Sequence, residues 1–110
     1  MRQKGDRGEA IVVQYLEKNG YHILARNFHA RFGEIDIIAQ EKGCIVFVEV
    51  KSYDSSKIHP LEVMTASKMK RFRKAAEIYL YTHDIQDIDC RFDLVLVHYL
   101  KIKDHYIGIT

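Results

Sequence analysis

The stretch Gly33–Ser52, with the sequence GEIDIIAQEKGCIVFVEVKS, decides the fold of this chain. Its first eight residues alternate between apolar and mostly polar side chains, a period typical of β-strands. Its last nine residues, Cys44–Ser52, are rich in β-branched and aromatic side chains and carry the strongest strand signal in the chain. Glu41-Lys42-Gly43 between them is typical of a turn. The stretch therefore predicts a β-hairpin.

Helical patterns lie on both sides of this hairpin. One helix is predicted from Asp6 to Asn19, with Asp6 at its start and Asn19-Gly20 as its stop signal. A second helix is predicted from about Pro60 to about Tyr81, since proline is accepted in a first helical turn. The remaining predicted strands are Tyr21–Asn27, Arg91–Tyr99 and a short edge strand at Tyr106–Ile109. This order of elements predicts an α/β fold, and no composition shift divides residues 1–110 into more than one domain.

Composition narrows the class of protein. The chain has 110 residues, of which 47% are hydrophobic and 29% charged, which excludes a collagen-like, coiled-coil or disordered protein. The formal net charge of +2 is too small to indicate nucleic-acid binding by itself. Its two cysteines lack zinc-site spacing, and no apolar run has the length of a signal peptide or a membrane span. We therefore expect a soluble cytoplasmic protein.

Carboxylates in the hairpin are the first candidates for chemistry. Glu49 and Lys51 lie two residues apart on one strand, so their side chains leave the same face. A two-residue loop at Lys42-Gly43 would place Asp36 opposite Glu49, whereas a three-residue loop would turn Asp36 to the other face. With the first register, two carboxylates meet beside a lysine. Such a group fits Mg²⁺, which can polarise a phosphoryl oxygen and activate water for phosphodiester hydrolysis.

Two further charged residues lie on apolar helical stripes. Glu9 points toward the core side of the first helix, where it is a third carboxylate of the site, part of a capping box with Asp6, or both. Lys68 follows Met64 and precedes Phe72 at four-residue spacing on the second helix. Its ammonium group either extends outward to solvent or contacts a phosphate.

Positive charge is concentrated on the second helix. Five of the seven residues from Lys68 to Lys74 are Lys or Arg. The pattern fits either a solvated helix face or a surface that contacts nucleic-acid phosphates. Arg26 and Arg31, on both sides of the segment that enters the hairpin, are further candidates for phosphate contacts. The candidate nucleic-acid contacts are Arg26, Arg31, Lys68, Lys70, Arg71 and Lys74.

Several short sequence blocks occur in a fixed order along the chain, namely Gly8-Glu9, Arg26-Asn27, Gly33-Glu34-Ile35-Asp36, Phe47-Val48-Glu49-Val50-Lys51, Lys68 and Arg91-Phe92-Asp93. The order of these blocks resembles the YraN-type family UPF0102, whose fold is similar to the PD-(D/E)XK nucleases of the Holliday junction resolvase type. The resemblance implies a restriction-endonuclease-like αβββαβ core with a mixed sheet of four to five strands flanked by helices.

The resemblance also implies roles for individual residues. Asp36, Glu49 and the Val50 carbonyl would bind Mg²⁺ or Mn²⁺, Lys51 would orient water or stabilise developing charge, and Glu9 would be the helix carboxylate. Where the family often has arginine two residues after the motif lysine, this chain has Tyr53. The metal site is unaffected by this departure, whereas a contact to the DNA backbone would be lost.

Together these observations predict a metal-dependent nuclease that acts on branched or otherwise structured DNA, with a homodimer as a further expectation. A non-catalytic nucleic-acid-binding module with the same fold is the leading alternative. A scaffold protein whose helices bind a protein partner is another alternative. DNA cleavage, salt-dependent DNA binding and Mg²⁺ uptake distinguish these three hypotheses.

Overall fold

A computed structural model describes residues 3–53 and 59–109 of the chain and shows a five-stranded sheet with helices on both faces. In chain order the elements are α1 (Gln3–Lys18), β1 (His22–Ala30), β2 (Gly33–Glu41), β3 (Cys44–Tyr53), α2 (Pro60–Val63), α3 (Ala66–Thr82), β4 (Asp89–His98) and β5 (Lys101–Tyr106). The strands lie in the order β1-β2-β3-β4-β5.

The sheet is mixed because one connection crosses over it. β1, β2 and β3 form an antiparallel meander, and β5 is antiparallel to β4. β3 and β4 are parallel, so the chain between them must return along the sheet, and α3 lies in that crossover. The predicted α/β class with a restriction-endonuclease-like core is confirmed.

Apolar side chains cover both faces of the sheet. On one face α1 packs Val12 and Leu16 against Ile37, Val46 and Val48. On the other face the buried side chains of α3 pack against the sheet in a cluster that contains Phe47, Phe72, Ala75, Ala76 and Tyr79. Since both faces of β3 are buried, its apolar run is nearly continuous. Side chains of β3 therefore point alternately toward α1 and toward α3.

The hairpin has the register of a two-residue loop. Lys42 and Gly43 both have positive φ, at 49° and 77°, as the central residues of a type I′ turn require. Glu41 pairs with Cys44, and the ladder continues from there to Ile37 and Val48, where it ends. The sequence allowed the register of a two-residue or a three-residue loop. The structure has the first, in which Asp36 and Glu49 lie on the same face of the sheet.

The prediction of one continuous second helix is wrong. The helix is interrupted between α2 and α3, because Thr65 adopts an extended backbone and its hydroxyl accepts a hydrogen bond from the Lys68 amide at 3.2 Å. Threonine is a favoured N-cap, and its side chain satisfies one of the amides that a helix start leaves without a partner. α3 therefore begins at Ala66, and Lys68 lies in its first turn.

The last strand also differs from its predicted position. β5 spans Lys101–Tyr106, so it begins directly after the turn at Tyr99-Leu100 rather than at Tyr106. Both turn residues have positive φ, at 49° and 62°. Such turns usually contain glycine or asparagine. Because neither residue is present at this turn, the sequence does not indicate a hairpin here.

Candidate functional site

A polar pocket opens on the α3 face of the sheet, at the end where β2 begins. Side chains of β2, β3 and α3 meet there, and charged groups of both signs line it. The lining residues are Gly33, Glu34, Asp36, Glu49, Lys68, Arg71 and Phe72. The pocket thus contains both carboxylates that the hairpin register was predicted to bring together.

Asp36 lies where the β2–β3 ladder ends. Its side chain is nearly buried, at 3% exposure, and its Oδ2 accepts a hydrogen bond from the Val50 amide at 2.8 Å. The neighbours Ile35 and Ile37 pack on opposite faces of the sheet, although strict strand alternation would place them on the same face. The alternation therefore changes at Asp36, and a backbone amide of β3 holds its carboxylate in position.

Glu49 has an unusually high proton affinity. Burial is the main cause that raises its pKa from 4.5 to about 7, and the nearby Asp36 charge and a hydrogen bond to Asp36 act in the same direction. Lys68 acts in the opposite direction, since its Nζ lies 2.7 Å from Oε2 of Glu49. Two carboxyl groups therefore share a confined site with more negative charge than the one lysine neutralises.

Close packing of α3 on β2 brings its basic residues to the pocket. A Cβ atom on Gly33 would lie only 3.1 Å from the backbone oxygen of Arg71, so glycine allows this approach. Arg71 is exposed, and its Nη1 donates a hydrogen bond to Ser67 Oγ at 2.9 Å. The capped first turn and this contact together place Lys68 and Arg71 beside the carboxylates.

Glu34 shares the pocket with the two carboxylates, whereas Lys51 does not. Lys51 is exposed and does not line the pocket. Glu34 lies at the pocket wall, and its Oε2 is 3.1 Å from His29 Nδ1. The cation nearest to Glu49 is therefore Lys68 of α3, a residue for which the sequence predicted a phosphate contact.

Glu9 lies on the other side of the sheet. It is fully buried on the stripe of α1 that also carries Val12 and Leu16, and it does not line the pocket. The helix begins at Gln3, so the backbone of Asp6 lies inside it. The predicted capping box is therefore wrong, since the capping residue must precede the first turn.

The predicted nucleic-acid contacts are divided between two regions. Lys70, Arg71 and Lys74 are exposed on α3, and Lys68 is half-buried beside them. Arg31 lies in the β1–β2 turn next to the same pocket. Arg26 is exposed on β1 opposite Ile37, whose side chain packs on the α1 face.

A second group of charged side chains lies on the α1 face, and sequence reasoning assigned it no role. Asp93 is completely buried and accepts hydrogen bonds from Arg91 Nε at 3.1 Å and from the Gly108 amide at 3.0 Å. His105 Nε2 lies 2.8 Å from Asp93 Oδ2, and its Nδ1 lies 2.8 Å from the Tyr15 hydroxyl. The spacing of Arg91 and Asp93, two apart on a strand, was the only signal for this cluster.

Within residues 3–53 and 59–109, no three or more His, Cys, Asp and Glu side chains are grouped so that they could hold a metal ion. The pocket lining contains three carboxylates, Glu34, Asp36 and Glu49, and they are not grouped closely enough to form such a set. In the same part of the chain, no helix is both long and apolar enough to span a membrane.

A family model described as "Uncharacterised protein family UPF0102" matches residues 8–97. The chain belongs to the UPF0102 family. The matched region runs from α1 to the end of β4 and contains every residue that lines the pocket. The family resemblance carried by the sequence motifs is confirmed.

Similar proteins named UPF0102 protein occur in several bacteria. One from Persephonella marina is 45% identical over 95 residues, which cover 86% of this chain and 82% of the relative. One from Caldicellulosiruptor saccharolyticus is 40% identical over 110 residues, or 99% and 92% of the two chains. One from Acetivibrio thermocellus is 45% identical over 105 residues, or 94% and 81%. The chain therefore matches these three relatives over 81–92% of their own length.

Proposed function

We propose that this UPF0102 protein is a Mg²⁺-dependent nuclease that hydrolyses phosphodiester bonds in DNA. One observation carries the proposal: Asp36 and Glu49 meet in a pocket that also contains Lys68 and Arg71. Paired carboxylates and adjacent cations are the groups that a metal-assisted attack on a phosphodiester requires.

The two carboxylates fit a hard divalent cation. Mg²⁺ is usually held by one or two protein carboxylates and keeps several waters, so no third side-chain ligand is needed. The Asp36 charge helps to raise the pKa of Glu49, because two negative charges at this distance repel each other. When bound, such a cation would polarise a phosphoryl oxygen and lower the pKa of a coordinated water. Asp36, Glu49 and the Val50 carbonyl are the proposed ligands.

The chain itself supplies positioning and charge around this pair. The Val50 amide orients the Asp36 carboxylate. Lys68 lies within contact distance of Glu49, so its ammonium group is held where a substrate phosphate would approach. Arg71, exposed at the same pocket, offers a guanidinium group that can bind a phosphate through two parallel hydrogen bonds. Lys70 and Lys74 extend this positive surface along α3.

The contact between Lys68 and Glu49 also supports a second candidate function. At 2.7 Å, the lysine already neutralises part of the charge that would attract a metal ion. A protein that uses α3 to bind nucleic acid without cleaving it would need only this ion pair in the pocket. Its DNA binding would persist in EDTA and would weaken steeply with salt.

Cleavage assays on the full chain separate the two functions. We expect wild type to cut branched or single-stranded DNA with Mg²⁺ or Mn²⁺ and not in EDTA, and Asp36→Asn and Glu49→Gln to lose activity at least about 100-fold. Glu77→Gln, an exposed carboxylate on α3, is the matched control and should cut normally. Equal cutting by wild type and Asp36→Asn would contradict the proposal. Absence of cutting together with EDTA-resistant binding would favour the second function.

A further inference from the structure

An exposed aromatic ring stands at the edge of the pocket. Phe32, in the turn between β1 and β2, is 49% exposed and directly precedes Gly33 of the pocket wall. Burial in a hydrophobic core therefore does not explain the position of this ring. It can instead supply a flat apolar surface to a ligand.

Two cations from different elements lie over this ring. Arg31 Cζ is 5.6 Å and Lys74 Nζ is 5.0 Å from the ring centroid of Phe32. These distances are within the range of cation–π interactions, which restrict the ring and connect the turn to α3. Positive charge that can bind phosphates thus surrounds an aromatic surface that can stack with a base.

This combination is specific to one place in the described part of the chain. Five large apolar side chains are exposed there, namely Phe32, Tyr81, Tyr99, Leu100 and Ile107. Among their rings, a cation lies only over Phe32. Phe32 is also the only one of the five that adjoins a residue of the carboxylate pocket.

Proteins that bind single-stranded nucleic acid combine a basic groove with aromatic side chains on which bases stack. We infer that Phe32 stacks against an unpaired base of the DNA while Arg31, Arg71 and Lys74 contact the adjoining phosphates. In an intact duplex each base face is covered by its neighbours, so this contact requires a nucleotide outside the stack. The substrate is therefore DNA with unpaired nucleotides, such as a flap or a single strand. This inference rests on the proposed function, since the stacked base would flank the phosphate at the carboxylate pair.

A tryptophan substitution reports the contact directly. The chain contains no tryptophan, so Phe32→Trp introduces a single fluorescent reporter at this position. Titration with a single-stranded oligothymidylate in EDTA, where cleavage cannot occur, should quench its fluorescence. A blunt duplex should quench it much less. The matched control is Tyr81→Trp, whose ring lies seven residues beyond Lys74 on α3 at a position 87% exposed, and it should not respond.

Removal of the ring should weaken only single-strand binding. We expect Phe32→Ala to lower affinity for the single-stranded oligonucleotide about 5- to 150-fold, since stacking is worth about 1–3 kcal/mol per base. Affinity for the blunt duplex should stay the same, and Phe32→Tyr should retain single-strand binding. Fluorescence anisotropy of labelled oligonucleotides measures all three, and thermal unfolding verifies that the variants fold.

Failure of this inference is distinguishable from failure of the proposed function. Binding of the single strand by Phe32→Trp without quenching would overturn stacking but leave the nuclease proposal intact. An equal loss of single-strand and duplex affinity in Phe32→Ala would also overturn it. If wild type binds none of these DNAs by anisotropy, both proposals are wrong.

Discussion

Nζ of Lys68 lies 2.7 Å from Oε2 of Glu49, so an ion pair connects the first turn of α3 to β3, the middle strand of the sheet. Glu49 in turn interacts with Asp36, which also accepts a hydrogen bond from the Val50 amide. A cation and two carboxylates from three separate elements thus share one nearly buried site.

Glu49 should make the protein less stable as pH rises. Its folded pKa of about 7 is above the ordinary 4.5, so between these values the folded state binds more protons than the unfolded state. Stability therefore falls as pH rises from 4.5 to about 7. Without divalent cations, Glu49→Gln should be more stable than wild type at pH 8 by about 1–3 kcal/mol and should show little difference at pH 4.

Urea unfolding of wild type and Glu49→Gln in EDTA measures this difference in stability. All other titrating groups are the same in the two proteins, so the pH dependence of the difference comes from Glu49. A difference that is constant between pH 4 and pH 8 would contradict the assigned proton affinity of Glu49. The same would follow if wild type were the more stable protein at pH 8.

Divalent cations should stabilise the wild type through its carboxylate pair. A ligand at 100 times its dissociation constant adds about 2.7 kcal/mol to stability when it binds only the folded state. We expect millimolar Mg²⁺ or Mn²⁺ to raise the melting temperature by about 4 °C or more, and Asp36→Asn to abolish this rise. Glu77→Gln should respond like wild type in the same thermal scan. Equal shifts in all three proteins would place the bound ion elsewhere.

Replacement of Lys68 should separate metal binding from DNA cleavage. Lys68→Gln removes a positive charge that competes with the metal ion for Glu49, so Mg²⁺ affinity should rise about tenfold. Cleavage and DNA affinity should nevertheless fall, because the phosphate contact is lost. Lys70→Gln, an exposed neighbour, should leave Mg²⁺ affinity unchanged. Calorimetric titration and cleavage assays give the two readouts, and a parallel loss of both in Lys68→Gln would be inconsistent with a competing lysine.

Asp93 should stabilise the fold without taking part in the site. Burial alone would raise its pKa, but hydrogen bonds from His105, Arg91 and Gly108 outweigh burial and hold the pKa below 3.8. Its stabilising contribution is therefore present above that value and lost as pH falls through the folded pKa. At pH 7 Asp93→Asn should lower the free energy of unfolding by about 2–4 kcal/mol, since the partly buried Arg91 charge keeps its ion pair with Glu41 but loses the one with Asp93.

The pH dependence of Asp93→Asn distinguishes this cluster from the carboxylate pocket. The stability difference from wild type should shrink as pH falls through the lowered pKa of Asp93, and the Mg²⁺-induced rise in melting temperature should persist. Chemical unfolding at several pH values and thermal scans with Mg²⁺ measure both. A loss of the Mg²⁺ response in this variant would connect the cluster to the metal site, contrary to its position on the α1 face.

Local features of the sequence were sufficient for most of the elements. The alternation in β2, the apolar run of β3 and the Lys42-Gly43 turn are short-range signals, so the hairpin could be predicted. The break before Ala66 was missed because the apolar stripe continues through it, and only the capping geometry of Thr65 ends the first short helix. β5 was misplaced because the turn at Tyr99-Leu100 lacks the residues that usually adopt positive φ.

For the site, the sequence by itself determined which residues can do the chemistry. Asp36 and Glu49 are predictable as neighbours because the loop length that sets the hairpin register is a local property, although the alternation of β2 changes at Asp36. The tertiary structure alone decided which residues surround them. Lys68 reaches Glu49, and Lys74 reaches Phe32, only because α3 packs across the sheet on Gly33. Such contacts join residues far apart in the chain, and no local pattern encodes the distance between a helix and a strand.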